Sequence, residues 1–147
     1  PSGVKAPMKF RKIKKFLEDW ELEQLISSIG KIDEVEARQE CTDFVIPKTV
    51  EVKLLNLVFP SRISCAIQIY KPGTYFSPHR DQLRSKIRTH SMSILLNNSF
   101  EGGELYIEGD PARLEKGDCA LFSPEDLHYV EGVYEGKRLV LSAWGVK

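Results

Sequence analysis

The stretch Thr74-Tyr75-Phe76-Ser77-Pro78-His79-Arg80-Asp81 places an imidazole and a carboxylate two residues apart. Both side-chain types ligate metal ions. An extended backbone sends alternate residues to one side, so in a strand His79 and Asp81 project together and Arg80 projects away. Two imidazoles and one carboxylate on one face of an octahedron hold Fe(II) and leave the opposite face open. A second imidazole must come from elsewhere, and the chain has three histidines, His79, His90 and His128. His128 follows the loop-like Ser123-Pro124-Glu125-Asp126 and opens the run LHYVEGV, where a strand-borne ligand can stand. His90 ends the basic run RSKIRTH and is expected to be a bystander. Asp118 and Glu104 are alternative carboxylates, but both sit beside glycines, where a turn role accounts for them.

His-Arg-Asp is also the core of the protein-kinase catalytic loop. That loop needs Asn five residues after the Asp, and the residue there is Lys86. A Gly-rich phosphate loop, a VAIK-type strand and a DFG motif are absent too, and a chain of 147 residues cannot build two lobes.

Arg138 lies ten residues after His128. The intervening residues read as a hairpin with the loop Glu135-Gly136-Lys137. Tyr134 then pairs with Arg138, and Arg138 falls on the face of His128, Val130 and Gly132, shared by Ser142 and Trp144. A guanidinium there is a forked carboxylate receptor. A ligand that chelates a metal at one end and carries a carboxylate at the other would bridge the two, and 2-oxoglutarate has that shape. The plain alternative is that His79 and Asp81 form a loop hydrogen bond and Arg138 a surface ion pair.

These residues need strands to carry them. From Ile13, the residues Phe16, Leu17, Trp20, Leu25, Ile26 and Ile29 recur at mostly three- and four-residue spacing, which predicts one amphipathic helix ending at Gly30. After about residue 43 the pattern turns to β-type runs: VEVKLLNLVF, ISCAIQIY, HSMSILLN, GELYIEG, DCALF, LHYVEGV and RLVLSAW. Turn signals such as Lys71-Pro72-Gly73, Gly102-Gly103 and Lys116-Gly117-Asp118 punctuate them. The expected fold is mainly β with one N-terminal helix over the sheet. Residues 1–12 are expected to be a flexible segment or a tag remnant, and residues 13–147 one domain.

Charge balances, with 21 basic and 21 acidic residues, so no global field points to nucleic acid or an anionic membrane. No apolar run approaches a membrane span and no signal peptide is evident. The cysteines Cys41, Cys65 and Cys119 form no CxxC and sit in or beside apolar runs, which suits reduced core thiols and a cytoplasmic location.

On these residues the chain resembles the 2-oxoglutarate and Fe(II)-dependent oxygenases, in their prolyl 4-hydroxylase-like branch. The resemblance runs from about Ile63 to Trp144 through Tyr70-Lys71-Pro72-Gly73, His79-Arg80-Asp81, Leu95-Leu96-Asn97, Phe100-Glu101-Gly102-Gly103-Glu104-Leu105, Gly117-Asp118, His128 and Arg138. It implies a double-stranded β-helix, or jelly-roll, with the metal in its mouth. His79, Asp81 and His128 would ligate Fe(II), Arg138 would hold the distal carboxylate of 2-oxoglutarate, and Tyr70 would line that pocket. O2 would be the oxidant, with ascorbate as an accessory reductant. In one departure, the tyrosine that some relatives place before the Leu-Asn is absent from Ser93-Ile94-Leu95-Leu96, which leaves Ser142 or Ser93 as helper. Cupins want HxH where this chain has His-Arg-Asp. The nucleic-acid demethylase branch adds an arginine six residues after the first, and Trp144 stands there.

The resemblance implies hydroxylation of a protein or peptide residue, prolyl by analogy, with release of succinate and CO2. The alternatives are a small-molecule or free amino-acid hydroxylase and an inactive jelly-roll binding module. No membrane partner is expected. Arg80, Arg84, Lys86 and Arg88 make the segment around the HxD basic, which suits an acidic substrate or an ordinary solvated loop equally.

Overall fold

The computed structural model describes residues 10–30, 38–82 and 87–147. In chain order the elements are β1 (Arg11–Ile13), α1 (Asp19–Ser27), β2 (Gln39–Cys41), α2 (Lys48–Val58), β3 (Arg62–Tyr70), β4 (Phe76–His79), β5 (Arg88–Leu95), β6 (Phe100–Gly102), β7 (Leu105–Ile107), β8 (Asp110–Pro111), β9 (Cys119–Phe122), β10 (His128–Val130), β11 (Val133–Gly136) and β12 (Arg138–Val146). A six-stranded sheet runs β1-β9-β5-β12-β3-β2, a four-stranded sheet runs β4-β10-β7-β8, and β11 pairs with β6. Every pairing is antiparallel. This is the mainly-β jelly-roll that the sequence leads one to expect. Among the described residues, no helix is long and apolar enough to cross a membrane.

Strand alternation sorts the apolar residues into two cores. On one face of the larger sheet, Ile67 and Ile69 of β3, Met92 and Ile94 of β5, Cys119 of β9 and Leu139, Leu141 and Ala143 of β12 pack with Leu22 and Leu25 of α1 and Val50, Leu54 and Val58 of α2. On the other, Tyr70, Leu95, Ala120, Phe122 and Val140 meet Leu105, Ile107 and Val130 of the smaller sheet. With both faces covered, the central strands read as continuous apolar runs.

Two sequence expectations are corrected here. The helix predicted over 13–29 begins later: Ile13 belongs to β1 and pairs with Cys119, and α1 starts at Asp19. Its start is set by a capping box, with the Glu18 N–H donating to Glu21 Oε1 at 2.9 Å. The run VEVKLLNLVF is not a strand but most of α2, so the outer face carries two helices. Its β-branched composition suggested a strand, yet Val50, Leu54 and Val58 recur every fourth residue and are fully buried. Packing of that stripe overrides local propensity. Of the expected flexible segment, residues 1–9 lie outside the described residues, and Arg11 and Lys12 pair with Leu121 and Ala120. The cysteines are free; only Cys119 is fully buried, where burial pushes its thiol up to about 12.

The two helices are tied by one buried carboxylate. Glu21 on α1 accepts from Thr49 Oγ1 and Lys53 Nζ of α2, both at 2.6 Å. Burial alone would raise its pKa, but the Glu18 amide, Lys53 and Thr49 outweigh it and hold the group below its ordinary 4.5. Glu21→Ala leaves Lys53 without its partner and is expected to cost roughly 2–3 kcal/mol in chemical denaturation at neutral pH. A folded carboxyl that titrates below its unfolded value contributes stability above that unfolded value and loses it as pH falls. The gap between parent and variant should therefore narrow as pH drops below about 4.5.

Candidate metal centre

The first two ligand candidates meet through strand register. β4 and β10 are antiparallel neighbours with His79 directly opposite His128, which brings the ring centroids to 4.1 Å. Asp81 joins them from outside the strand, since β4 ends at His79. The peptide N–H groups of Asp81 and Gln82 both donate to the Pro124 carbonyl at 2.9 Å, which pins Asp81 against the loop leading into β10. Arg80 donates Nε to the Glu125 carbonyl at 3.0 Å and leaves the His79–Asp81 side clear.

The ligand atoms of His79, Asp81 and His128 lie within 4.8 Å of one another, the one such group among the described residues. Asp81 Oδ1 stands 3.3 Å from His128 Nε2 and 3.6 Å from His79 Nε2. Each imidazole turns its other nitrogen to a carbonyl: His79 Nδ1 donates to Ser77 O at 2.7 Å, and His128 Nδ1 to Asp126 O at 3.0 Å. A carbonyl only accepts, so each ring carries a proton on Nδ1 and turns its Nε2 to the centre. Metal-ligating histidines carry this kind of outer partner. Phe76 stacks on His79 at 3.9 Å and Phe122 meets His128 edge-on at 4.8 Å, which limits ring rotation.

The electrostatics agree with that geometry. Burial and the neighbouring His128 hold His79 below its usual pKa, so it is neutral and able to ligate. Burial would raise the Asp81 pKa, but His128, Ser91 and Trp144 outweigh it and bring the carboxyl down to about 2. Burial would lower the His128 pKa, and the hydrogen bond to Asp81 raises it instead. A neutral imidazole beside a carboxylate that stays ionised is a donor set suited to a divalent cation.

The triad lines a cavity of about 460 Å³ that is also lined by Tyr70, Ser93, Ser142, Val140 and Arg138, and by Arg80, Arg88 and Trp144. Arg138 is 3% exposed, and burial pulls its pKa down. Among the described residues no carboxylate lies within 4.0 Å of its guanidinium. Its nearest aromatic partner is Tyr70, opposite it on β3, with the guanidinium carbon 5.0 Å from the ring centre. A buried cation without a counter-anion is costly, and an anionic ligand in the cavity would relieve that cost. The residues present therefore fit both a divalent metal and a carboxylate-bearing ligand.

The route to Arg138 differs from the hairpin expected. Val133–Gly136 is itself a strand, β11, paired with β6, and Arg138 opens β12 in the other sheet beside Tyr70. The chain turns the corner at Gly136, where φ is +71° and an added Cβ would strike Ser99 O. Arg138 therefore reaches the cavity from the sheet other than that of His128. Along β12, Arg138, Ser142 and Trp144 share a face as expected and line the cavity, and Val140 lines it with them. Two further residues set up Arg138. Asn97 accepts from the Leu139 N–H at 3.0 Å and donates to Lys137 O at 2.8 Å. Gly103, at φ +71°, makes room for it, since a Cβ there would come within 2.8 Å of Arg138 Cδ.

The remaining candidates fall elsewhere. Asp118 accepts the Lys15 and Glu115 N–H groups at 2.9 Å, and Glu104 accepts the Arg113 N–H at 2.6 Å. His90 sits on β5 with Nδ1 2.9 Å from Thr89 Oγ1 and does not line the cavity. Ser93 and Ser142 are register partners across β5 and β12. Arg84 and Lys86 lie outside the described residues. The sequence did not reveal that Ser91 and Trp144 both donate to Asp81 Oδ2, at 2.7 and 2.9 Å.

Comparison with known proteins agrees with the fold. The chain is 37% identical over 86 residues to a PKHD-type hydroxylase of Idiomarina loihiensis, a match covering 53% of this chain and 39% of that relative, so the chain spans about two fifths of the relative's length. The collagen prolyl hydroxylase of Paramecium bursaria Chlorella virus-1, solved with 2-oxoglutarate, superposes with a TM-score of 0.74 at 22% identity, over 95% of this chain and 97% of that one. A prolyl-4-hydroxylase of Pseudomonas putida gives 0.69 at 18% identity, over 95% and 92%. A prolyl hydroxylase of Trichoplax adhaerens, in complex with a hypoxia-inducible-factor peptide fragment, gives 0.65 at 16% identity, over 94% and 83%. The model of the 2OG-Fe(II) oxygenase superfamily matches residues 65–145, from the middle of β3 almost to the end of β12, and the chain belongs to that superfamily.

Proposed function

We propose that the protein is a 2-oxoglutarate- and Fe(II)-dependent hydroxylase acting on a protein or peptide residue, prolyl in type. The observation that carries this is one cavity holding both the clustered ligand atoms of His79, Asp81 and His128 and a buried Arg138 with no carboxylate within 4.0 Å among the described residues. His79 and His128 would bind Fe(II) through Nε2 and Asp81 through Oδ1. Arg138 would receive the distal carboxylate of 2-oxoglutarate, with Tyr70 against the guanidinium and Ser142 or Ser93 beside it. When bound, iron and cosubstrate supply the oxidation: 2-oxoglutarate goes to succinate and CO2, and the atoms of O2 divide between succinate and the hydroxylated C–H. The chain itself orients the three ligands, keeps both Nδ1 protons on carbonyls and lines the cavity with Leu105, Val130 and Val140 to exclude water.

The peptide substrate rests on the activities of the structural neighbours. The test is a panel of proline-containing peptides and free amino acids incubated with Fe(II), 2-oxoglutarate and ascorbate. The expected result is succinate formed in step with the gain of one oxygen atom by a peptide. Turnover of free amino acids alone would move the assignment to a small-molecule hydroxylase, and no turnover with intact cofactor binding would leave a binding module.

An acidic group on the substrate is favoured by Arg80 and Arg88, both on the cavity wall close to Asp81. Reversing both to Glu is expected to raise KM for an acidic peptide by about 10-fold or more at low salt and to flatten its salt dependence. An unchanged KM and salt profile would remove the steering role.

A further inference from the structure

The two oxygens of Asp81 are not equivalent. Oδ1 faces His128 Nε2 at 3.3 Å and His79 Nε2 at 3.6 Å. Oδ2 accepts Ser91 Oγ at 2.7 Å and Trp144 Nε1 at 2.9 Å. The donors come from adjacent strands of the larger sheet, where Ser91 and Trp144 are direct register partners on β5 and β12. Ser91 is fully buried. The Arg88 guanidinium lies over the Trp144 indole at 4.1 Å and donates Nη1 to the Asp81 carbonyl at 3.2 Å. One residue thus braces both the indole and the aspartate backbone.

We propose that Ser91 and Trp144 are positioning residues that hold Asp81 as a one-oxygen ligand, with Arg88 fixing the plane of the indole. This rests on the iron-binding reading of His79, Asp81 and His128. A carboxylate free to rotate binds a divalent cation through one oxygen or two. Two-oxygen ligation would take one of the three positions that a chelating cosubstrate and O2 need. Charge-assisted donors on Oδ2 oppose that rotation, because engaging the metal with Oδ2 would break two hydrogen bonds in a half-buried site.

The test uses metal alone, anaerobically, and reads affinity and ligand geometry rather than turnover. Fe(II) affinity by chelator competition and the visible spectrum of the Co(II) form are compared for the parent, Ser91→Ala, Trp144→Phe and the double variant. Trp144→Phe keeps an aromatic ring for Arg88 while removing the N–H along with part of the indole. Each single variant is expected to bind Fe(II) several-fold more weakly, and the double variant about 10–100-fold more weakly, with altered Co(II) bands. Ser91→Thr, which keeps a hydroxyl, is expected to restore both. Unchanged affinity and spectrum in the double variant would overturn the proposal, as would a Ser91→Thr variant no better than Ser91→Ala. If the double variant does not fold, the single variants and Ser91→Thr decide by the same criteria. A parent that binds neither Fe(II) nor Co(II) would instead refute the proposed function itself.

Discussion

Asp81→Asn is expected to abolish Fe(II) binding at concentrations that saturate the parent, and with it any oxidation of 2-oxoglutarate. Partners one shell out from a metal already change affinity about 10–100-fold, so losing the carboxylate ligand should exceed about 100-fold. The substitution is close to isosteric but removes the one negative charge among the three ligand groups. It also sets an amide against two donors: whichever way the amide turns, its NH2 faces either the metal position or the Trp144 Nε1 and Ser91 Oγ. Anaerobic titration with Fe(II), by chelator competition, measures the loss. Metal affinity within a few-fold of the parent would mean that Asp81 is only a hydrogen-bond acceptor for Ser91 and Trp144.

Arg138→Gln is expected to weaken 2-oxoglutarate on the order of 100-fold or more while leaving Fe(II) affinity without cosubstrate unchanged. Truncating one side of a buried, hydrogen-bonded charge pair typically costs about 2–5 kcal/mol. The site makes Arg138 hard to replace. Gly103 leaves space for its side chain, Asn97 pins the backbone on either side of it, and Tyr70 stands opposite. Calorimetry with 2-oxoglutarate on the Mn(II) form measures the effect. The parallel Fe(II) titration separates a cosubstrate receptor from a residue that merely supports the fold. Equal 2-oxoglutarate affinity in the two proteins would refute the receptor role.

What was legible in the sequence followed from short-range rules. Alternation along one strand put Arg138, Ser142 and Trp144 on one face, and all three line the cavity. The His79–Asp81 pair was legible from its spacing, although Asp81 gets its direction from Pro124 rather than from strand geometry. What was not legible depended on which strands become neighbours. The segment between His128 and Arg138 looks like a hairpin because Gly136 sits where a turn would be. Only the pairing of Val133–Gly136 with Phe100–Gly102 shows that the chain crosses between sheets there. The donation of Ser91 and Trp144 to one carboxylate needs the β5–β12 register, which no local pattern encodes. The second helix was missed for a different reason. Val50, Leu54 and Val58 have helical spacing, but their segment has the composition of a strand, and the covering of the sheet's outer face decides between the two.

The central claim is that one cavity binds Fe(II) on His79, Asp81 and His128 and 2-oxoglutarate on that iron and Arg138 together. Anaerobic addition of Fe(II) and then 2-oxoglutarate, followed by visible absorption, tests it most directly. A broad metal-to-ligand charge-transfer band is predicted, appearing only when both are present, lost in His79→Ala, and shifted to higher 2-oxoglutarate concentration in Arg138→Gln. No band in the parent, or a band unchanged by His79→Ala, would contradict the account.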